Sequence, residues 1–229
     1  MVKQIAQIIQ PVIGQETSKQ QRKKITPNLY NYDHAMLWLE NKGKEQYGLQ
    51  FKILEEDKLI IKKLICYFLK DTQTASQLDI NFNKGILLTG PVGCGKTTLI
   101  SLMRFFEPLP NQFIVKSCRD VSFEFIKEGY DTIHKYSRNS FYQQNPKAYC
   151  FDDLGTENNL KYFGNECNVM AEILLSRYDL FVSRKLVTHL TTNLSASEIE
   201  FAYGNRIRSR LREMFNLIAF DKGINDKRR

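Results

Sequence analysis

The sequence predicts an α/β fold, in which helices cover both faces of a mostly parallel β-sheet. Two observations lead to this class. Short apolar or β-branched runs alternate with segments of helical periodicity along most of the chain. One of these runs, Ile86-Leu87-Leu88-Thr89, leads directly into a glycine-rich turn and then into a helical segment. The candidate strands cover residues 85–89, 112–115, 148–151, 186–192 and 215–220.

The residues before the first strand are predicted to be largely helical. Apolar side chains recur at helical spacing in residues 1–13, 29–47 and 57–70. The apolar side of the second helix is assigned to Tyr30, Met36, Leu37 and Trp38. Residues 14–24 are polar and end in Arg22-Lys23-Lys24, which is typical of a mobile linker or a basic arm. We therefore divide the chain into a partner-binding extension, residues 1–50, and a main domain, residues 51–229.

The turn after the first strand has the pattern of a phosphate-binding loop, G-x-x-x-x-G-K-[ST]. Glycines let the backbone wrap closely around phosphate oxygens, and the N–H groups at the start of the following helix attract the negative charge. Lys96 would add a positive charge at the β- and γ-phosphates of a nucleotide, and Thr97 would bind Mg²⁺. The predicted nucleotide contacts are Gly90, Pro91, Val92, Gly93, Cys94, Gly95, Lys96, Thr97 and Thr98.

The third of the five predicted strands ends in two carboxylates. Ala148-Tyr149-Cys150-Phe151 is apolar and is followed by Asp152 and Asp153. Behind a phosphate-binding loop, this is the Walker B pattern. Asp152 would hold the Mg²⁺ ion together with Thr97, and Asp153 would orient or deprotonate the attacking water.

The next strand ends in an amide. Asn193 follows Leu186–Thr192 and would lie beside the γ-phosphate if this strand lies between the first and the third. There it would hold the water that attacks the phosphate. The alternative is a strand-end asparagine that only makes a turn.

The last predicted helix opens with the capping box Ser195-Ala196-Ser197-Glu198 and carries four arginines in its second half. Arg206 and Arg210 are four residues apart and share one helical face. Two functions are open for them: an arginine finger that reaches a neighbouring subunit, or a contact to a nucleic-acid backbone. A solvated basic helix is the third interpretation.

The composition limits the classes of partner and the cellular compartment that we expect for this protein. The chain has 229 residues, a net charge of +8 and five cysteines without a C-x-x-C pair. The charge permits a polyanionic partner, and the cysteines favour a reducing compartment. We find neither a signal peptide nor an apolar run of membrane-spanning length, so we expect a cytoplasmic protein.

Together these motifs resemble the AAA+ ATPases of the DnaC-type helicase loaders and IstB-type transposition helpers. The resemblance rests on residues 90–97, Asp152-Asp153-Leu154-Gly155, Thr191-Thr192-Asn193-Leu194 and Tyr203-Gly204-Asn205-Arg206-Ile207-Arg208-Ser209-Arg210. It implies ATP and Mg²⁺ as cofactors, a five-stranded sheet of order 5-1-4-3-2, and a nucleotide at the boundary between subunits. It also implies no full C-terminal lid.

The resemblance assigns further roles to single residues. Asn193 matches the sensor-1 position, Arg206 or Arg210 the arginine finger, with Arg210 preferred, and Arg228 a sensor-2 arginine. The implied partners are single-stranded DNA, a replicative helicase or alternatively a transposase, and further copies of the chain in a nucleotide-dependent oligomer. We expect no membrane partner.

Two other classes share the phosphate-binding loop. A nucleoside or metabolite kinase would need a lid and a substrate pocket, of which residues 117–147 show no clear version. A nucleotide-gated scaffold that does not hydrolyse ATP would not need both carboxylates.

Four aromatic residues lie near Lys135 and Arg138 in the sequence and could stack on the bases of DNA, or could equally be core residues. They are Tyr130, Tyr136, Phe141 and Tyr142.

Overall fold

A computed structural model of the protein describes residues 30–108, 111–142, 145–157, 160–162, 165–221, 223 and 226–227. The described residues fall into two compact units. The first contains residues 30–80 and 105–108, and the second contains the others. The predicted helix over residues 1–13 and the predicted linker over residues 14–24 lie outside the described residues. The functional division at residue 50 stays a prediction.

The first unit is helical. Its helices are α1 (Tyr32–Tyr47), α2 (Lys58–Leu69) and α3 (Thr72–Leu78), with a short 3₁₀ turn at Glu55–Asp57. Asp71 caps α3 by accepting hydrogen bonds from the N–H groups of Gln73 and Thr74. It also accepts one from the Tyr32 hydroxyl at 2.7 Å, which ties the start of α1 to the start of α3.

The second unit is built on a five-stranded parallel sheet of order β2-β5-β8-β1-β9. In the order of these five strands along the chain this is 2-3-4-1-5, which confirms the predicted order. The bounds of the sheet strands are β1 Gly85–Thr89, β2 Ile114–Ser117, β5 Tyr149–Leu154, β8 Thr188–Thr192 and β9 Phe215–Ala219. Two short antiparallel hairpins pair β3 (Phe141–Tyr142) with β4 (Asn145–Pro146), and β6 (Leu160–Tyr162) with β7 (Asn165–Cys167).

Helices connect the strands of this sheet. Their bounds are α4 Lys96–Met103, α5 Cys118–Glu128, α6 Tyr130–Tyr136, α7 Val169–Arg184 and α8 Ala196–Met214, and a 3₁₀ turn at Arg104–Phe106 follows α4. Helices α5 to α8 share one hydrophobic cluster with the inner strands, in which Phe125, Phe151 and Leu190 are fully buried.

The predicted capping box at Ser195 is confirmed, because its side chain and that of Glu198 each bond the other residue's backbone N–H. Within the described part of the chain, no helix has the length and apolarity needed to cross a bilayer.

A buried arginine holds this cluster together. Arg177 of α7 is 0% exposed and donates to Thr188 Oγ1 at 2.7 Å and to the Tyr136 carbonyl at 2.8 Å. Its guanidinium lies 5.4 Å from the centre of the Tyr149 ring. Burial lowers the pKa of Arg177 to about 9. Tyr136 is itself only 3% exposed, so it is a core residue and the interpretation of it as a base-stacking residue is wrong.

Candidate nucleotide-binding site

The predicted phosphate-binding loop connects the carboxyl end of β1 to the first turn of α4. Gly93 and Gly95 have φ angles of 81° and 97°, in the left-handed region that residues with a Cβ disfavour. Gly95 is also the N-cap of α4, so the chain passes from the loop directly into the helix. The free N–H groups of this helix end make a favourable site for phosphate.

Lys96 is the first residue of α4 and is 5% exposed. Its Nζ donates to the carbonyl oxygens of Gly90 and Pro91, both at 2.9 Å. The ammonium group therefore lies inside the loop and is bonded to the loop's own backbone. A phosphate that enters the loop would give it a charged partner in place of neutral ones, and such hydrogen bonds are stronger.

Thr97 and Asp152 form the predicted pair beside the loop. The Thr97 hydroxyl lies 2.9 Å from Oδ2 and 3.0 Å from Oδ1 of Asp152. Thr191, on the neighbouring strand β8, donates to Asp152 Oδ1 at 2.6 Å. The carboxylate is thus held by a hydroxyl from α4 and a hydroxyl from β8.

These residues fit a magnesium ion. Mg²⁺ is usually bound by one or two carboxylates, hydroxyls and phosphate oxygens rather than by a full protein cage. The described residues contain no group of three or more His, Cys, Asp or Glu that could hold a metal ion. The pKa of Asp152 is raised above its ordinary value, mainly because the carboxyl group is buried. The hydrogen bond from Thr191 lowers this pKa, and the nearby Asp153 carboxylate raises it. A divalent cation would favour the ionised carboxylate, so Thr97 and Asp152 are the residues that would hold it.

Asp153 has an unusual backbone conformation. Its φ angle is 57°, and the pairing of β5 with β8 shifts register between Phe151 and Leu154. Such irregularities re-aim a side chain at the end of a strand, and aspartate is one of the few residues that tolerate the left-handed region. The Asp153 N–H donates to Thr191 Oγ1 at 2.9 Å. Among the described residues, none donates a hydrogen bond to the Asp153 carboxylate, which is half-buried and available to a water molecule.

Asn193 follows the last residue of β8, and β8 lies between β1 and β5. This is the strand arrangement on which its predicted position depends. The Asn193 side chain is exposed and lines a cleft of about 920 Å³ that also contains Thr89, Gly90 and Pro91. Asn193 therefore lies at the same edge of the sheet as the start of the loop.

The arginines of α8 have different surroundings. Helix α8 is interrupted at Gly204, whose φ and ψ angles of 84° and 160° are not helical. Arg208 forms an ion pair with Glu200 across this interruption. The Arg210 guanidinium lies 4.2 Å from the centre of the Tyr178 ring, an attractive cation–π contact. Arg206 is exposed and has no ion pair or hydrogen bond among the described residues.

Sequence reasoning missed three residues of this site. Thr191 was part of the resemblance without a role, yet its hydroxyl connects Asp152 to the backbone of Asp153. Its signal is a hydroxyl side chain on a strand whose residues are all buried. Asp226 and Lys227 lie against the phosphate-binding loop, and no sequence motif indicates this. Arg228 lies outside the described residues, so its sensor-2 role stays a prediction.

Comparison with known sequences gives short matches. No family model matches the chain. It is 36% identical over 78 residues to the ATPase family gene 2 protein homolog B of Mus musculus, which covers 34% of this chain and 10% of that protein. It is 35% identical over 65 residues to the Fe(3+) ions import ATP-binding protein FbpC of Photobacterium profundum, which covers 27% of this chain and 18% of that protein. The chain thus spans less than a fifth of these curated relatives.

Comparison with solved structures covers much more of the chain. The crystal structure of the DnaC helicase loader matches with a TM-score of 0.52 and 19% sequence identity, over 74% of this chain and 92% of that one. The chain shares the fold of this structure. The predicted resemblance to AAA+ proteins of the DnaC type is thereby confirmed for the fold. The loop, the Thr97–Asp152 pair and Asp153 are parts of the kind that P-loop NTPases use to bind a nucleotide, Mg²⁺ and a water molecule.

Proposed function

We propose that this AAA+ protein is a Mg²⁺-dependent ATPase that acts on single-stranded DNA and loads a replicative helicase. The observation that carries the proposal is the convergence of Lys96, the Thr97–Asp152 pair and Asp153 at one edge of the sheet. The fold is similar to that of a structure described as a helicase loader, and this similarity favours a helicase over a transposase as the partner.

The residues of the site have complementary roles in this proposal. The loop N–H groups and Lys96 bind and orient the β- and γ-phosphates, and Asp153 accepts the proton of the attacking water or aligns that water. Mg²⁺, held by Thr97 and Asp152, would neutralise charge on the phosphates. Thr191 fixes Asp152 and the backbone of Asp153 relative to each other, so both carboxylates keep their positions during the reaction.

We further propose Arg206, rather than Arg210, as the arginine finger. A finger has to extend into a neighbouring subunit and bond phosphate oxygens there. Arg206 is exposed and unpaired among the described residues, which leaves it available. Arg210 contacts the Tyr178 ring and would have to give up that contact, so the preference stated from the sequence is reversed.

The DNA-binding part of the proposal is tested with a fluorescently labelled single-stranded oligonucleotide. We expect fluorescence anisotropy to show binding at low salt, with an affinity that falls steeply as salt increases, because lysines and arginines release counterions from the phosphates. The net charge of +8 motivates this expectation. Measurements with and without ATP, and with a duplex of the same sequence as control, show whether nucleotide and strand number matter. No binding at low salt in any of these conditions would remove DNA from the proposal.

The arginine finger is tested by mixing two inactive variants, Lys96→Ala and Arg206→Ala. We expect Arg206→Ala to lower turnover about a thousandfold while leaving ATP affinity unchanged, because a finger stabilises charge that develops in the transition state. In a mixed oligomer, some interfaces pair an intact loop with an intact finger, so part of the activity should return. Arg210→Ala is the matched control and is expected to retain most of its activity. If the variants assemble together and no activity returns, Arg206 does not act between subunits.

A further inference from the structure

The chain returns to the phosphate-binding loop after β9. The backbone N–H of Lys227 donates to the carbonyl oxygen of Gly93 at 3.1 Å. A Cβ placed on Gly93 would lie 2.2 Å from Oδ1 and 2.7 Å from Oδ2 of Asp226. The Asp226 carboxylate therefore packs directly against the backbone of the central glycine of the loop.

This position is chemically unusual for a carboxylate. The loop is shaped to receive anionic oxygens, through its glycines and through the N-terminus of α4. Asp226 brings an anion of the chain itself to Gly93, and the Lys227 side chain extends past Gly95, with Cδ 4.0 Å from a Cβ placed on that glycine. A polyphosphate that approached Gly93 would meet the carboxylate both as a steric obstacle and as a like charge.

The other groups of the site are also engaged within the chain. Lys96 bonds the carbonyls of Gly90 and Pro91, and Thr97 bonds Asp152. The Lys96 ammonium group and the Thr97–Asp152 pair thus have internal partners in this structure. A nucleotide that binds here has to replace these internal contacts.

We infer that residues 226–227 form an autoinhibitory strap that competes with the nucleotide phosphates for the loop. The inference rests on the proposed function in one respect, namely that the loop binds a nucleotide. Nucleotide binding then requires that the Lys227–Gly93 hydrogen bond break and that the Asp226 carboxylate leave Gly93. The apparent affinity of the loop is then its intrinsic affinity multiplied by the fraction of molecules in which the strap is open.

The inference is tested by titrating the full chain with a fluorescent ADP analogue. Asp226→Ala is expected to bind it about tenfold more tightly than the wild type, which corresponds to a strap that is closed in roughly nine molecules out of ten. Asp221→Ala is the matched control, because it removes the same charge at an exposed position just after β9 and is expected to bind like the wild type.

A second pair of variants isolates the backbone contact. Lys227→Pro removes the N–H that bonds Gly93, whereas Lys227→Ala removes the side chain and keeps the N–H. We expect the proline variant to bind the analogue more tightly than the alanine variant, since only the former loses the strap's hydrogen bond.

The outcomes separate this inference from the proposed function. If the wild type binds the analogue and Asp226→Ala binds it equally or less tightly, the strap is not autoinhibitory and the inference alone is wrong. If neither the wild type nor Asp226→Ala binds any nucleotide, the proposed function and the inference fail together.

Discussion

Replacing Lys96 with alanine is expected to lower the affinity for ATP about a hundredfold and to abolish turnover. The variant loses the positive charge that bonds the phosphate oxygens, and charge-assisted hydrogen bonds of this kind are the strongest polar contacts in such sites. In the structure the ammonium group is already inside the loop, bonded to Gly90 and Pro91. It therefore needs only to exchange partners, without a large movement, when a phosphate enters.

Calorimetric titration with ATP measures this prediction, and Lys127→Ala is its control. Lys127 is an exposed lysine of α5, so its removal changes the net charge equally without touching the loop. Thermal unfolding of both variants should be recorded, because Lys96→Ala also removes two hydrogen bonds within the loop. Equal affinity and equal turnover of Lys96→Ala and the wild type would contradict the assignment of this loop as the nucleotide site.

Replacing Asp153 with asparagine is expected to reduce ATP hydrolysis about a thousandfold and to leave ATP binding unchanged. Loss of a general base typically lowers the rate by factors of 10² to 10⁴. Asparagine has nearly the same shape and tolerates the left-handed conformation, with φ of 57°, that Asp153 adopts. Alanine would add backbone strain to the loss of the carboxylate, so asparagine isolates the chemical contribution.

Single-turnover hydrolysis and ATP affinity, measured side by side, decide this second prediction. The control is Asp79→Asn, because Asp79 is an exposed aspartate that also has a left-handed backbone, with φ of 54°, at the end of α3. It is expected to hydrolyse ATP like the wild type. If Asp153→Asn hydrolyses ATP at the wild-type rate, another group activates the water.

Local sequence patterns predicted the strands closely but ended two of them too early. The predicted first strand, residues 85–89, is confirmed as β1, whereas the third was predicted over residues 148–151 and β5 extends to Leu154. The extension includes Asp152 and Asp153. These carboxylates belong to the sheet because the neighbouring strands supply their partners: Ser117 of β2 pairs with Asp152, and Thr191 of β8 bonds both aspartates.

The apolar side of α1 was predicted incorrectly. Leu37 was assigned to it and is 59% exposed, whereas Ala35 and Leu39 are fully buried. Gly43 also lies on the buried side, where a Cβ would be 2.2 Å from the Phe51 ring. Small residues mark this face because another part of the first unit approaches the helix closely. A search for large apolar side chains cannot detect such an approach.

The sequence by itself determined the chemistry of the candidate site. A strand followed by a glycine-rich loop and a helix has only one compact arrangement, and parallel strands bring their carboxyl ends to one edge of the sheet. Lys96, Thr97 and Asp152 were therefore predictable from local pattern and order along the chain. Tertiary structure alone decided how Thr191 connects the two aspartates and that Asp226 lies on Gly93. It also decided that Arg210 contacts Tyr178, whereas Arg206 has no ion pair or hydrogen bond among the described residues. These contacts join residues that are distant in sequence, and they depend on which elements become neighbours when the chain folds.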